Sequence, residues 1–329
     1  MKLCDVICKT PIHEITPLNN KDNKIYFKRD DLQPFSFGGN KVRIAHKIVE
    51  YMLNDGCNVL ITYGNKFSNL CRVTTNLCCS LGVECYMISV SDDDHGCERA
   101  FNGTMTELFG AKVIRCKKAE VDQVVNELKA RLAAEGKKCH YVHDRESETV
   151  QCSAYAGVYD EIYRQQLESG VWFDYIFSAS GAGTTQGGLI IGKLIHPQYK
   201  APSSPDPKIV GISTARVYER GVFQLTEHVS SYYELFRNGG KPNESDVDRE
   251  LNLCCDYLCG GYGLYDGEIV DTCNRMLSIN GIELDPTYTG KAYLGMEKYL
   301  SANGIKGKNV LFIDTGGAPL FFDHLLNNT

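Results

Sequence analysis

The chain has 329 residues, 43% of them apolar, and a formal charge of −6. That length allows one large domain or two of moderate size, and the apolar content excludes a disordered chain. No basic run or aromatic–basic array marks a nucleic-acid surface, and no stretch is long and apolar enough to cross a membrane. In chain order, residues 25–28 read as a short strand. Residues 42–53 read as a helix, because apolar side chains at 44, 45, 48, 49, 52 and 53 fall on one face. Residues 58–62 follow as a buried strand, 68–81 as a helix stopped by Gly82, and 83–90 as a strand. A helix over 101–109, a strand over 111–116 and a helix over 121–134 continue the alternation.

The second half repeats this rhythm: a helix over 153–167, a strand over 171–177, a helix from 187 to 194 and strands over 208–213 and 309–314. Short apolar runs separated by helices predict an α/β fold whose sheets are parallel or mostly parallel, twisted and covered on both faces. Two domains are expected, a larger one from residues 1–44 and 156–329 and a smaller α/β one from 45–155.

Fifteen cysteines show neither paired CxxC modules nor zinc-ligand spacing, so no metal site is expected. The start Met1-Lys2-Leu3-Cys4-Asp5 is not a secretory leader. The cysteines are therefore read mainly as reduced, buried small hydrophobes in a cytoplasmic protein.

Two loops carry chemistry. Ser36-Phe37-Gly38-Gly39-Asn40-Lys41 runs a glycine turn into a lysine at a helix start. An amine there suits a covalent bond to an aldehyde cofactor; the plain alternative is a solvated lysine after a turn. Ser180-Gly181-Ala182-Gly183-Thr184-Thr185-Gln186-Gly187-Gly188 follows a strand and opens a helix. Its N–H groups and helix dipole suit a phosphate, with Thr184 and Thr185 as hydroxyl donors; the alternative is a tight, empty crossover. Neither a GxGxxG nor a GxxxxGK[ST] pattern is present there. Together the loops point to pyridoxal 5'-phosphate, which acts as an electron sink for a small amino-acid substrate.

Three further segments share the strand-to-loop pattern. In Gly64-Asn65-Lys66-Phe67-Ser68-Asn69, Ser68 is placed to handle a proton and Asn69 to meet a ring oxygen, or both simply cap a helix. The helix-start N–H groups there also suit a substrate carboxylate. In Ile313-Asp314-Thr315-Gly316-Gly317-Ala318, Thr315 is a candidate partner of the ring nitrogen. Lys291, after Pro286-Thr287-Tyr288-Thr289-Gly290, is a competing amine in what reads as a capped helix start.

In this order the pieces resemble the tryptophan-synthase-β-like (fold type II) enzymes, and within them the D-cysteine desulfhydrase / 1-aminocyclopropane-1-carboxylate deaminase family. The matching stretches are Lys28-Arg29-Asp30-Asp31-Leu32, SFGGNKVR at 36–43, GNKFSNLCR at 64–72, SGAGTTQGGL at 180–189, GYG at 261–263, DPTYTGKA at 285–292 and DTGGAP at 314–319. The resemblance implies a two-domain cofactor-binding fold and a homodimer. It also implies that Lys41 is the Schiff-base lysine, Ser68 the active-site serine and Asn69 the ring-oxygen partner. Gly181, Ala182, Gly183, Thr184 and Thr185 become the phosphate loop, Tyr262 and Tyr288 the substrate-side tyrosines, and Thr315 the ring-nitrogen partner.

The implied activity is α,β-elimination, with D-cysteine giving pyruvate, sulfide and ammonia. Cysteate, 2,3-diaminopropionate, cyclopropane-ring opening and a non-catalytic cofactor-binding role are the alternatives. Two departures bear on the choice. The family helix start Gln-Ser-Asn-His is here Phe67-Ser68-Asn69-Leu70, which removes an amide and an imidazole. The Tyr-Glu usual in the cyclopropane deaminases is here Tyr288-Thr289, which removes an acid from the ring nitrogen and favours the desulfhydrase-like branch.

Overall fold

The computed structural model describes residues 2–90, 100–200 and 206–327. The elements are β1 (Ile12–Ile15), β2 (Lys24–Arg29), α1 (Asn40–Asn54), β3 (Val59–Gly64), α2 (Asn69–Leu81), β4 (Glu84–Val90), α3 (Phe101–Leu108), β5 (Lys112–Cys116), α4 (Val121–Ala134), β6 (Cys139–Tyr141) and α5 (Arg145–Ser169). They continue as β7 (Tyr175–Ser180), α6 (Thr184–Ile195), β8 (Lys208–Ser213), α7 (Tyr218–Phe236), α8 (Glu244–Glu250), β9 (Asn252–Cys254), α9 (Gly267–Asn280), α10 (Thr289–Ala302), β10 (Asn309–Asp314) and α11 (Ala318–Asn327). Part of the Pro/Ser-rich link after residue 200 lies outside the described residues.

Two sheets organise these elements. One has six strands in the order β1-β2-β10-β7-β8-β9, and the other has four, β5-β4-β3-β6. Only the β1–β2 pair is antiparallel; every other pairing is parallel. Strands buried on both faces explain the nearly unbroken apolar runs: Ile25, Phe27, Phe177, Phe312 and Ile313 have no exposed surface. The expected cuts at 44/45 and 155/156 fall inside α1 and α5. Both helices contribute to one apolar core, with Ile44, Ile48, Tyr155 and Tyr159 packing beside Leu60 of β3 and Leu311 of β10.

Local signals set most boundaries. Gly82 ends α2 in the left-handed conformation, donating to Cys78 and Cys79 carbonyls. The expected strand at 171–177 is displaced to Tyr175–Ser180, because the apolar start serves packing instead: Phe173 is buried against the ring of Tyr26 at 5.3 Å. The helix expected from 153 begins at Arg145, one elongated element with Asp144 before it. Among the described residues the cysteines are free thiols; Cys57, Cys71, Cys78, Cys85, Cys152, Cys254 and Cys273 are buried, while Cys4, Cys8 and Cys79 are exposed. No metal-holding group of His, Cys, Asp and Glu occurs among the described residues, and no helix there is long and apolar enough to cross a membrane.

Each sheet has one place where the chain order reverses. In the six-stranded sheet it lies between β7 and β10; in the four-stranded sheet it lies between β3 and β6. Loops leaving the carboxyl ends of strands at such points open a crevice, the standard position for a ligand in open α/β sheets.

Candidate active site

The crevice is a cavity of about 180 Å³ lined by residues from both reversal points. From the six-stranded sheet's side come Asn40, Lys41, Gly181, Ala182, Gly183, Thr184, Thr185, Tyr288 and Thr315. From the four-stranded sheet's side come Tyr63, Ser68, Asn69, Leu70 and His143. Nearly every residue singled out in the sequence meets here. Tyr262 stands aside: it lines a neighbouring cavity of about 310 Å³ with Phe67, and Tyr288 donates to its hydroxyl at 3.2 Å.

Lys41 is placed by backbone contacts that exclude side chains. Gly38 and Gly39 have φ of 68° and 92°, in the left-handed region. A Cβ on Gly38 would lie 1.7 Å from the Asp31 carbonyl oxygen, and one on Gly316 would lie 2.8 Å from Gly39 Cα. Gly39 N–H donates to Asp30 O at 2.8 Å and Asn40 N–H to Thr315 O at 3.0 Å, so the two glycine loops are clasped together. The charges of the Lys28–Leu32 stretch hold this clasp. Arg43 pairs with Asp30 at 3.0 Å and with Glu161 at 2.9 Å, Tyr155 donates to Asp30 at 2.5 Å, and Lys28 pairs with Glu161. Removing one member of such a buried network typically costs about 3–5 kcal/mol. These charged residues are scaffold, and Arg43 stands two positions from the lysine they orient.

Burial lowers the Lys41 pKa from 10.5 to about 8, and among the described residues no carboxylate pairs with the amine. A lysine so placed has a substantial neutral fraction near neutral pH, as a nucleophile requires. Lys291, the competing amine, is engaged elsewhere: its Nζ donates to the carbonyls of Leu258 and Gly261, both at 2.9 Å, and ties down the loop that carries Tyr262.

Gly183 begins α6 with φ of 84°. The first-turn N–H groups of a helix have no acceptor within it, and here they face the cavity wall formed by residues 181–185. Their direction is set from behind, where His228 Nε2 meets Ala182 O at 3.0 Å and Arg216 donates to Gly181 O. Burial lowers the His228 pKa, which favours a neutral ring donating to that carbonyl. Thr214 Oγ1 is buried without a partner and sits 3.3 Å from the point a Gly181 Cβ would occupy. Asn40 Nδ2 donates to Thr185 Oγ1 at 3.1 Å, joining the lysine turn to this loop. A ring of N–H and hydroxyl groups beside the Lys41 amine fits a phosphorylated aldehyde of the size of pyridoxal phosphate.

On the opposite wall Ser68 is the N-cap of α2, accepting the Cys71 N–H at 3.2 Å. Asn102 donates to Asn69 Oδ1 at 2.9 Å, which leaves the Asn69 amide nitrogen as the donor for a ring oxygen. Thr289 does not line the cavity; its hydroxyl donates to Asp285 at 2.9 Å. Asp285 also accepts the N–H groups of Thr287 at 2.9 Å and Tyr288 at 2.8 Å. Burial raises its pKa to about 6 against these bonds. It anchors the turn that aims Tyr288.

Tyr63 and His143 were missed in the sequence. They lie at the ends of β3 and β6, and β6 is three residues long, too short to register as a strand. A histidine just past a strand end is the signal that was available. A larger cavity of about 590 Å³, around Lys193, Asp246, Arg249 and Glu250, holds no comparable cluster: Lys193 pairs with Glu250 at 2.8 Å and Arg249 with Asp246 at 3.0 Å.

A lysine, an anion cradle and a helix start around one crevice between two largely parallel sheets define the tryptophan-synthase-β-like, fold type II architecture. The model of the family described as pyridoxal-phosphate dependent enzyme matches residues 3–316, and the chain belongs to that family. Among solved structures, an ACC deaminase homologue superposes with a TM-score of 0.80 at 27% identity, over 98% of this chain and 94% of that one. An O-ureido-L-serine synthase gives 0.66 at 14% identity, over 99% and 95% of the two chains. A hydrogen sulfide-producing enzyme from Fusobacterium nucleatum gives 0.65 at 16% identity, over 97% and 98%. The last two show likeness of fold alone.

Proposed function

We propose that this protein is a pyridoxal-phosphate-dependent lyase that removes a β-substituent from a small amino acid, with D-cysteine the first candidate and pyruvate, sulfide and ammonia the products. One observation carries the reading: Lys41, the 181–185 cradle, the Ser68–Asn69 helix start, Tyr288 and Thr315 line a single cavity. The similar ACC deaminase homologue supports a small amino-acid substrate.

The leaving-group preference rests on what the wall lacks. Among the described residues no Asp or Glu lines the cavity, and Thr289 is turned toward Asp285. Without an acid at Thr315 the ring nitrogen is not held protonated, and the electron sink is weaker. That favours expulsion of a β-substituent over opening of a cyclopropane ring.

The cofactor, when bound, supplies the electron sink at the substrate Cα. Lys41 would hold it through its side-chain amine. The N–H groups of Asn69 and Leu70 at the start of α2 receive the substrate carboxylate. The Lys41 amine takes the Cα proton; its depressed pKa suits it better than the Ser68 hydroxyl, which accepts the Cys71 N–H. Leu70 lines this side and excludes water from it. We further propose a homodimer and the two-domain division at 44/45 and 155/156.

The test is a product assay over D- and L-cysteine, cysteate, 2,3-diaminopropionate and 1-aminocyclopropane-1-carboxylate, with visible spectra of the same samples. Pyruvate from a β-substituted amino acid supports the reading. Release of 2-oxobutyrate from the cyclopropane substrate alone transfers the protein to the deaminase branch. Cofactor binding without any turnover makes it a non-catalytic binder.

A further inference from the structure

Leu70 stands where the resembled family has an imidazole, yet the cavity contains one. His143 lies two residues beyond β6, and its ring lines the cavity with Lys41, Ser68 and Asn69. It enters from a different element than the helix start that lost its histidine. Two tyrosines fix the ring plane by edge contacts, Tyr63 at 5.2 Å and Tyr141 at 5.8 Å between centroids.

The ring also has a fixed polarity. His143 Nδ1 is 3.0 Å from Glu148 Oε1, on the first turn of α5. Burial disfavours the Glu148 carboxylate, but the His143 bond and the charges of His143, His228 and Arg216 outweigh it and hold the acid below its ordinary pKa. An ionised carboxylate only accepts, so Nδ1 carries a hydrogen in both states of the ring: Nε2 is bare when the ring is neutral and carries the second, transferable hydrogen when it is charged. Among the described residues Nε2 has no hydrogen-bond partner. A carboxylate-oriented imidazole with one open nitrogen is the arrangement of an acid–base group.

The division of the cavity says what that group serves. The amine, the anion cradle and Thr315 come from the six-stranded sheet's side and hold most of the cofactor, with Asn69 as its ring-oxygen donor from the other side. The four-stranded sheet's side meets the substrate. There the carboxylate has the α2 start, the Cα proton has Lys41 and the Tyr288 hydroxyl hydrogen is given to Tyr262, which leaves His143, beside the Ser68 hydroxyl, to serve the departing β-substituent.

We propose that His143 is a catalytic residue that protonates the departing β-substituent through Nε2, with Glu148 as its positioning residue. This rests on the lyase reading above. The Cα–H bond breaks and its proton goes to Lys41, while its electron pair forms the new Cα–Cβ double bond. The Cβ–substituent bond breaks with its pair on the substituent, which takes the proton from doubly protonated His143. The neutral ring stays bonded to Glu148 and regains a proton from water. No oxidant or reductant is needed.

The experiment compares holoenzymes of wild type, His143→Gln and Glu148→Gln on two kinds of substrate. Chloride leaves β-chloroalanine without a proton, whereas an amine leaving 2,3-diaminopropionate or a thiol leaving cysteine is helped by one. In His143→Gln the expected loss in kcat is about 100-fold on the proton-requiring substrate and under about 3-fold on β-chloroalanine, with KM and the cofactor's visible spectrum unchanged. Glu148→Gln gives a smaller loss with the same selectivity. A readout independent of turnover is the ¹⁵N spectrum of the His143 ring: in wild type the neutral form carries its hydrogen on Nδ1, and in Glu148→Gln the two tautomers mix. Equal losses on both substrates, or a wild-type ring with its hydrogen on Nε2, overturn the assignment while leaving the lyase intact. A wild type that turns over neither substrate overturns the lyase reading and this inference with it.

Discussion

The two walls of the cavity are built by different means. On the six-stranded sheet's side the work is done by backbone: glycines at 38, 39, 183 and 316 adopt positive φ, and those at 38, 39 and 316 bring loops into contact. On the four-stranded sheet's side it is done by side chains, Ser68, Asn69, Tyr63 and His143, gathered from three elements. The first wall tolerates little variation, because a Cβ meets backbone that cannot move. The second can be rebuilt by exchanging side chains, as Leu70 and His143 illustrate. A family sharing one cofactor can thus vary its substrates on the side-chain wall alone.

Substitutions on the backbone wall should be the most damaging. Lys41→Ala should abolish covalent attachment of the cofactor and lower turnover by about 10³-fold or more, read from the visible spectrum and the product assay. Normal attachment in that variant would remove the lysine from its assigned place. Gly38→Ala should destabilise the protein by about 4 kcal/mol or more, since the new Cβ falls on the Asp31 carbonyl. Gly267→Ala, at a helix start with open space around it, should stay within about 0.5 kcal/mol and serves as the control in the same denaturant titration. Near-equal effects of the two would dissolve the contrast between the walls.

Asp285→Ala should cost about 3 kcal/mol by removing the acceptor of several buried N–H groups, and should weaken substrate more than cofactor because Tyr288 loses its anchor. Calorimetric stability together with a KM measurement checks both parts. Thr185→Val should weaken cofactor binding about 10-fold through one lost hydroxyl, measured by titration of the apoprotein.

A pH dependence tests the lysine's surroundings directly. The folded Lys41 pKa of about 8 lies below its ordinary 10.5. Between those values the unfolded chain holds a proton that the folded chain has released, so the stability of the apoprotein should rise with pH across that window. The rise should vanish in Lys41→Met, whose apoprotein should also be the more stable at neutral pH. A wild-type curve parallel to that of the variant would mean that the amine is solvated.

How far the site could be read in advance follows the same division. The glycine loops were legible because a positive φ or a close backbone approach restricts the residue to glycine, and the restriction is written locally. The strands at 208–213 and 309–314 and the helix over 121–134 were legible because burial on both faces, or on one helical face, imposes a pattern of apolar residues. The start of β7 was misplaced because its apolar approach packs as loop. Val6, Ile12 and Leu253 sit in elements too short to show any period.

By itself, then, the order of residues determined the alternating fold, the lysine turn and the anion cradle, since each depends on the conformational limits of neighbours in the chain. Only the tertiary structure decided that Lys291 is a strut and Lys41 faces the cavity, that Asp30, Arg43 and Glu161 are scaffold, and that His143 joins Ser68 across more than seventy residues. Those outcomes depend on where strand ends converge and which charges find partners. Such facts arise from packing two sheets against each other and have no local signature.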